Sequence, residues 1–222
     1  MSIAFFDLDK TLLDVNSGSL WVKAELRGGH ITRVQALKAS WWLTKYHLGF
    51  ADIEDAFREA IRSLEGVSVD ALADRATDFY HREVAHRYRP GAREAVEAHR
   101  AAGDTLVLLT SSSPYLSRHV VEDLALDHAL CNQFEIESGV HTGAPIEPLC
   151  YGPGKVDHAL TYAEARGVAL EQCTFYSDSA SDAPMLEAVG RPMVVHPDPK
   201  LKRMARRKQW PIISWGTTSA AT

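Results

Sequence analysis

Cysteine is scarce in this chain. Cys131, Cys150 and Cys173 form no Cys-x-x-Cys pair and leave one over in any pairing, which excludes a disulfide framework and a cysteine-based zinc site and suits reduced thiols in a cytoplasm. Nowhere do eighteen apolar residues follow one another, so no transmembrane helix is expected. The N-terminus enters an apolar strand without the basic segment and apolar core of a secretion signal. Excess positive charge is missing too: 24 Lys and Arg stand against 29 Asp and Glu, and a net charge of -5 offers no general attraction to nucleic acid. The one basic cluster, Lys200, Lys202, Arg203, Arg206, Arg207 and Lys208, reads as a solvated helix face. What is present is 222 residues, 45% hydrophobic and 24% charged, enough for one sizeable α/β domain plus a small insertion.

Along the chain, Ile3-Ala4-Phe5-Phe6 reads as a buried strand, and a helical stretch with few strand signals then runs to about residue 88. Four helices are expected in that stretch. The first carries Leu20, Trp21 and Ala24, is capped by Ser17 or Ser19 and is ended by Gly28-Gly29. The second spans 31 to 48. Asp52 and Asp55 open the third, which runs through Phe57 and Ile61, and Ser68 opens the fourth, through Leu72, Ala76 and Phe79. After Pro90-Gly91 the pattern alternates: helix 91 to 102, strand 105 to 110, helix 114 to 126, helix 155 to 167, strands 174 to 177 and 193 to 195. Residues 130 to 150, with Ser138-Gly139 between β-like flanks, suggest an antiparallel hairpin. The alternation implies a doubly wound parallel sheet, a Rossmann-like core of residues 1–15 and 89–222, with a four-helix cap of residues 16–88 inserted into it.

Chemistry gathers where those strands end. The first delivers Asp7 and Asp9 at alternate positions, and in open α/β sheets ligands sit just beyond the carboxyl ends of strands. Two carboxylates at one strand tip repel each other unless a cation or a shared proton intervenes, and Mg²⁺ favours such hard oxygen donors. Strand 105–110 leads into Thr110-Ser111-Ser112-Ser113-Pro114, hydroxyls and N–H groups at a helix start, where an anion binds; taken alone this is also an ordinary helix cap. Lys155 opens a helix, where the dipole disfavours a cation, so a negative group nearby would explain it. Asp178 and Asp182 follow strand 174–177, although singly each fits a turn residue or a cap.

In this order, each at a strand exit, these residues resemble the haloacid dehalogenase superfamily of phosphotransferases, and the resemblance covers essentially the whole chain. Asp7-x-Asp9-x-Thr11 matches its first motif, Thr110 its second, Lys155 its third, and Asp178 with Asp182 its fourth. The helical insertion is similar to the cap of its phosphoserine-phosphatase-like branch. The resemblance implies a Mg²⁺-dependent phosphomonoester hydrolase acting on a small molecule through an aspartyl-phosphate; a cytoplasmic location is expected from the cysteine usage and the lack of signal and membrane segments, with a monomer or homodimer expected. Asp7 is the implied nucleophile and Asp9 the acid, then base. Metal ligands are Asp7, Asp9 through its main-chain carbonyl, and Asp178, with Asp182 behind them; Thr110, Ser111 and Lys155 hold the phosphate. The second aspartate separates the chain from haloacid dehalogenases, and the register of Asp9-Lys10-Thr11 separates it from ion-pumping ATPases. A phosphomutase or a non-catalytic phosphate binder are the rival readings.

Substrate choice is less legible. Phosphoserine phosphatases carry a glutamate where Asn16 stands, a glycine pair where Ser111-Ser112 stands, an asparagine at Ser181, and a cap arginine where Ala60 aligns. A neutral Asn16 lacks the carboxylate that binds an ammonium group, so Asn16 is the specificity candidate and the reading turns from phosphoserine. Histidinol phosphate, a lipid-derived phosphate and a small polyol phosphate stay open. Trp21, Trp41, Trp42, Tyr46 and Phe50 are expected to pack inside the insertion or against the core rather than line a pocket, with one of the adjacent Trp41 and Trp42 exposed or at a dimer contact. His81 and His86, five apart, are off-face for a helical metal pair.

Overall fold

The computed structural model describes residues 2–38, 41 and 53–218. Strand β1 (Ile3–Phe6) lies at the centre of a six-stranded, wholly parallel sheet. β2 (Thr105–Leu109) and β3 (His128–Leu130) lie on one side of it, and β6 (Thr174–Ser177), β7 (Arg191–Val195) and β8 (Ile212–Ile213) on the other, giving the order β3-β2-β1-β6-β7-β8. The chain winds one way from β1 and later the other, so the carboxyl end of β1 is the switch point of the sheet. β3 and β8, of three and two residues, are too short to carry a periodic signal and are not among the strands expected from the sequence.

The three central strands, β1, β2 and β6, are buried along their whole length because both faces are covered. Ala4 and Phe6 of β1, with Leu106 and Leu108 of β2, face helices α4 (Pro90–Ala101) and α5 (Pro114–Leu124) through Ala92, Val96, Leu116, Val120 and Leu124. Ile3, Phe5, Val107 and Leu109 point the other way, onto α6 (Pro153–Glu164), α7 (Ala183–Ala188) and α8 (Pro199–Lys208) through Ala159, Ala163, Met185, Leu186 and Leu201. Each large apolar side chain buried this way contributes about 1.5–3 kcal/mol. The basic run occupies α8, where Leu201 and Ala205 are buried and Lys202, Arg203, Arg206, Arg207 and Lys208 turn outward.

Between β1 and β2 the chain makes helices α1 (Ser17–Arg27), residues 33–38, α2 (Ile53–Arg62) and α3 (Val69–Phe79). α3 is capped by Ser68, as expected, but α1 is capped by Asn16 rather than Ser17 or Ser19. Most of the expected second helix, with Trp42, Tyr46, Phe50 and the opening residue Asp52 of the third, lies outside the described residues. Trp21 packs edge-on against Phe79 with ring centroids 5.2 Å apart, while Trp41 is exposed. The segments that leave and re-enter the sheet run side by side: Leu13 bridges Tyr88, the Asp14 N–H donates to the Arg87 carbonyl, and the Arg89 N–H to the Leu12 carbonyl.

The expected hairpin is β4 (Gln133–Glu137) and β5 (Val140–Ile146), turning through Ser138 and Gly139, both at positive φ. Its tip docks on the insertion. The Val69 N–H donates to the Gly139 carbonyl, His141 and residues 66–67 exchange main-chain bonds, and the buried His141 ring spans from the Val67 carbonyl to the Tyr115 hydroxyl.

Candidate active site

β1 pairs in register with both neighbours, Phe6 opposite Leu108 and Tyr176, so the three central strands end together. Asp7 leaves β1 with its N–H still donating to the Tyr176 carbonyl at 3.0 Å. Five irregular helical residues, Leu8–Leu12, follow, and Lys10 sits at φ +58°, outside the backbone region that side chains favour. Such a residue costs about 1–3 kcal/mol unless its surroundings impose it. Here they do. The Lys10 N–H donates to the Val15 carbonyl at 2.9 Å, and the buried Arg89 grips the Lys10 carbonyl with two nitrogens, each at 3.2 Å, while a third reaches the Gly216 carbonyl at 2.6 Å.

Lys155, fully inside the protein on the first turn of α6, sends its ammonium 2.8 Å to Asp7 Oδ1 and 2.8 Å to Asp182 Oδ2. The expected negative group is therefore two carboxylates. Burial opposes the Lys155 charge, yet Asp182 and Asp7 outweigh it and push the pKa upward. Asp182 precedes α7 without capping it; its Oδ2 also accepts from the Ser177 hydroxyl at 2.7 Å. Asp178, buried at the end of β6, takes the Thr11 hydroxyl at 3.4 Å, and the same hydroxyl lies 3.2 Å from Asp7 Oδ2. Asp9 stands apart from this knot. Its Oδ1 accepts from the Ser17 N–H at 2.7 Å and its Oδ2 from the Asn16 amide at 3.4 Å, both at the start of α1.

The structure thus brings Asp7, Asp178, Asp182 and Lys155 into one buried cluster, with Asp9 beside it. Thr110 and Ser111 occupy the neighbouring strand exit. The Thr110 hydroxyl accepts from the Ser112 N–H at 3.1 Å, Ser113 caps α5, and the Ser111 carbonyl accepts from Asn132 at 2.7 Å. Neither Thr110 nor Ser111 joins the carboxylate cluster by a hydrogen bond among the described residues. Two supporting residues are not among those the sequence singles out. Arg89 bonds to carbonyls distant in sequence and leaves no local pattern. Asp198 accepts from the Ala180 N–H at 2.7 Å and donates its own N–H to the Asp178 carbonyl at 2.8 Å, pinning the loop that carries Asp178; its place just before Pro199, as the cap of α8, is the available signal.

The charge balance of this pocket is incomplete. Burial, then Lys155 in opposition and Asp182 in support, leaves Asp7 raised from 3.8 to about 7. Burial raises Asp9 against the bonds from Ser17, and burial with Asp7 and Asp182 raises Asp178 well above the usual carboxylate range. Lys155, with Lys10 and Arg89 nearby, leaves the four carboxylates short of full neutralisation, so a hard divalent cation fits the donor set. Among the described residues no three acidic, histidine or cysteine side chains form a metal cage. Two carboxylates and a main-chain oxygen, the rest of the shell being water, is a set Mg²⁺ accepts, since it keeps several waters.

The family model for haloacid dehalogenase-like hydrolases matches residues 4–187. A Mycobacterium tuberculosis protein named phosphoserine phosphatase is 30% identical over 213 residues, covering 94% of this chain and 69% of its own. A Neisseria meningitidis histidinol-phosphatase is 26% identical over 219 residues, covering 96% and 99%. Among solved structures, a Bordetella pertussis protein of unknown function superposes with a TM-score of 0.86 at 28% identity, over 96% of this chain and 97% of that one.

Proposed function

The chain belongs to the haloacid dehalogenase-like hydrolase family, and on that premise we propose that it is a Mg²⁺-dependent phosphatase of a small alcohol phosphate. The observation that carries this reading is the buried Lys155, 2.8 Å from Asp7, at the switch point of the sheet with Asp9 two residues on. Asp7 is the nucleophile: its carboxylate forms a bond to phosphorus as the P–O bond to the leaving group breaks. Asp9 gives its proton to the departing oxygen, then takes one from the water that opens the aspartyl-phosphate. Lys155 holds Asp7 in place and faces the phosphate oxygens, with Thr110, Ser111 and nearby N–H groups on the equatorial side. Asp7, Asp178 and the Asp9 carbonyl would hold Mg²⁺, which supplies charge neutralisation and alignment of the transferred group. Asp182 orients Lys155 from behind.

The relatives named above carry different substrate names, and Asn16 favours the side away from phosphoserine. Its amide is committed to Asp9 and Ser19, and it brings no negative charge for an ammonium group. Residues 16–88 are proposed as the cap that covers the site, on a core of 1–15 and 89–222. The test is phosphate release from phosphoserine, histidinol phosphate, polyol phosphates, phosphocholine and an aryl phosphate, with Mg²⁺ or EDTA, on wild type and Asp7→Asn. Mg²⁺-dependent release that vanishes in Asp7→Asn is expected. Transfer to an acceptor without free phosphate would replace this reading with a mutase, and metal binding without turnover with a phosphate binder.

A further inference from the structure

Asn16 stands at the joint between the catalytic turn and the insertion, and its amide bonds in both directions. Its Oδ1 accepts from the Ser19 N–H and the Ser19 hydroxyl, both at 2.8 Å. A main-chain N–H can only meet the oxygen, so the amide orientation is fixed and the nitrogen faces Asp9 Oδ2. The adjoining Ser17 N–H takes Asp9 Oδ1 at 2.7 Å. Both oxygens of Asp9 are therefore held by the first residues of α1, a helix whose next turn presents Trp21 to the Phe79 side of the core.

We propose that Asn16 is a positioning residue for Asp9, aiming its proton at the leaving oxygen and making that aim depend on α1 being docked. The short bond from Ser17 keeps Oδ1 an acceptor and leaves the proton on Oδ2, whose direction the Asn16 amide sets. In the step concerned, the P–O bond to the alcohol breaks, its electron pair stays on the departing oxygen, and the Oδ2 proton joins that oxygen while an Asp7 oxygen bonds to phosphorus. Misaim matters only where the leaving group needs the proton. An alkoxide does; a nitrophenolate leaves unaided. The inference rests on the phosphatase reading and adds to it a role for Asn16 that needs no contact with phosphate or alcohol.

The experiment measures kcat/KM for an alkyl phosphate and for p-nitrophenyl phosphate on wild type, Asn16→Ala, Asn16→Asp and Asp9→Asn. Asn16→Asp keeps an oxygen to cap α1 but loses the donor to Asp9 and sets a like charge against it. Both Asn16 variants are expected to lose about tenfold or more on the alkyl ester and less than about threefold on the aryl ester, a muted copy of Asp9→Asn. Asn16→Asp matching wild type would reduce Asn16 to a helix cap and overturn the proposal. Equal losses on both esters, or a change confined to KM for one alcohol, would overturn it in favour of a fold defect or a substrate contact. If wild type hydrolyses neither ester, the phosphatase reading itself fails. If Asp9→Asn discriminates between the esters and the Asn16 variants do not, only the positioning role fails.

Discussion

At the carboxyl end of β1, polar groups are buried and shared: Lys155 serves Asp7 and Asp182, Thr11 lies between Asp7 and Asp178, and Ser177 backs Asp182. In the helices above, the reverse holds. Val34 is 77% exposed, Leu37 73% and Trp41 59%, and Arg58 pairs with Glu147 at the surface, although Phe79 and Tyr80 farther on join the buried core. The contrast is between a region where buried polar groups share several partners that fail if one moves, and one where large apolar side chains face water. Chemistry that needs sub-ångström aim sits in the first.

The contrast is broken most severely from within the cluster. Asp7→Asn is expected to cut kcat by about 10⁴-fold or more with little change in melting temperature, because the amide keeps the shape; steady-state kinetics beside calorimetry checks both. Lys155→Met should cost stability as well, about 3–5 kcal/mol by urea unfolding, since it strands Asp7 and Asp182 without their buried cation. Arg89→Ala removes the grip on the strained Lys10 turn and is expected to destabilise by about 2–3 kcal/mol and lower kcat, the activity loss persisting at temperatures where the variant is fully folded.

A pH series sharpens the comparison further. Without metal, Asp7 binds its proton more tightly in the fold, about 7, than in the unfolded chain, 3.8. A raised carboxyl favours the fold at low pH, so stability should fall as pH rises from about 4 to 7 and level off above. Mg²⁺ rewards the ionised form, so the melting-temperature gain on adding it should be larger at pH 8 than at pH 5; equal gains would place the metal elsewhere. The smallest effect is expected on the other side: Val34→Ala, at a side chain 77% exposed, should stay within about 0.5 kcal/mol of wild type.

How far the sequence reaches follows the same division. An apolar run that delivers two carboxylates at its tip is costly to bury without a cation, so Asp7 and β1 stand out from the residue order alone, whereas Asp178 is legible only together with the other strand exits. Lys155 is legible through an anomaly, a cation at the wrong end of a helix, which its two carboxylates resolve. The resemblance makes Asn16 the specificity candidate, since it stands where phosphoserine phosphatases carry a glutamate, and the fold adds its bonds to Asp9 and Ser19. Arg89 is invisible, its partners being carbonyls of residues 10 and 216. The docking of β4–β5 on residues 66–69 is equally out of reach, as no local pattern encodes a main-chain bond to a distant turn.

The side-by-side run of residues 12–14 with 87–89 carries a last consequence. Seen from the sheet, everything between those segments begins and ends at the same place, so its length puts no tension on the core and enters the cost of closure only logarithmically. Insertions of quite different size and shape can be grafted between Asp14 and Arg87 while β1 and β2 stay in register. Evolution, or a protein engineer, can therefore exchange this insertion as a cartridge, provided the new piece returns a donor to Asp9.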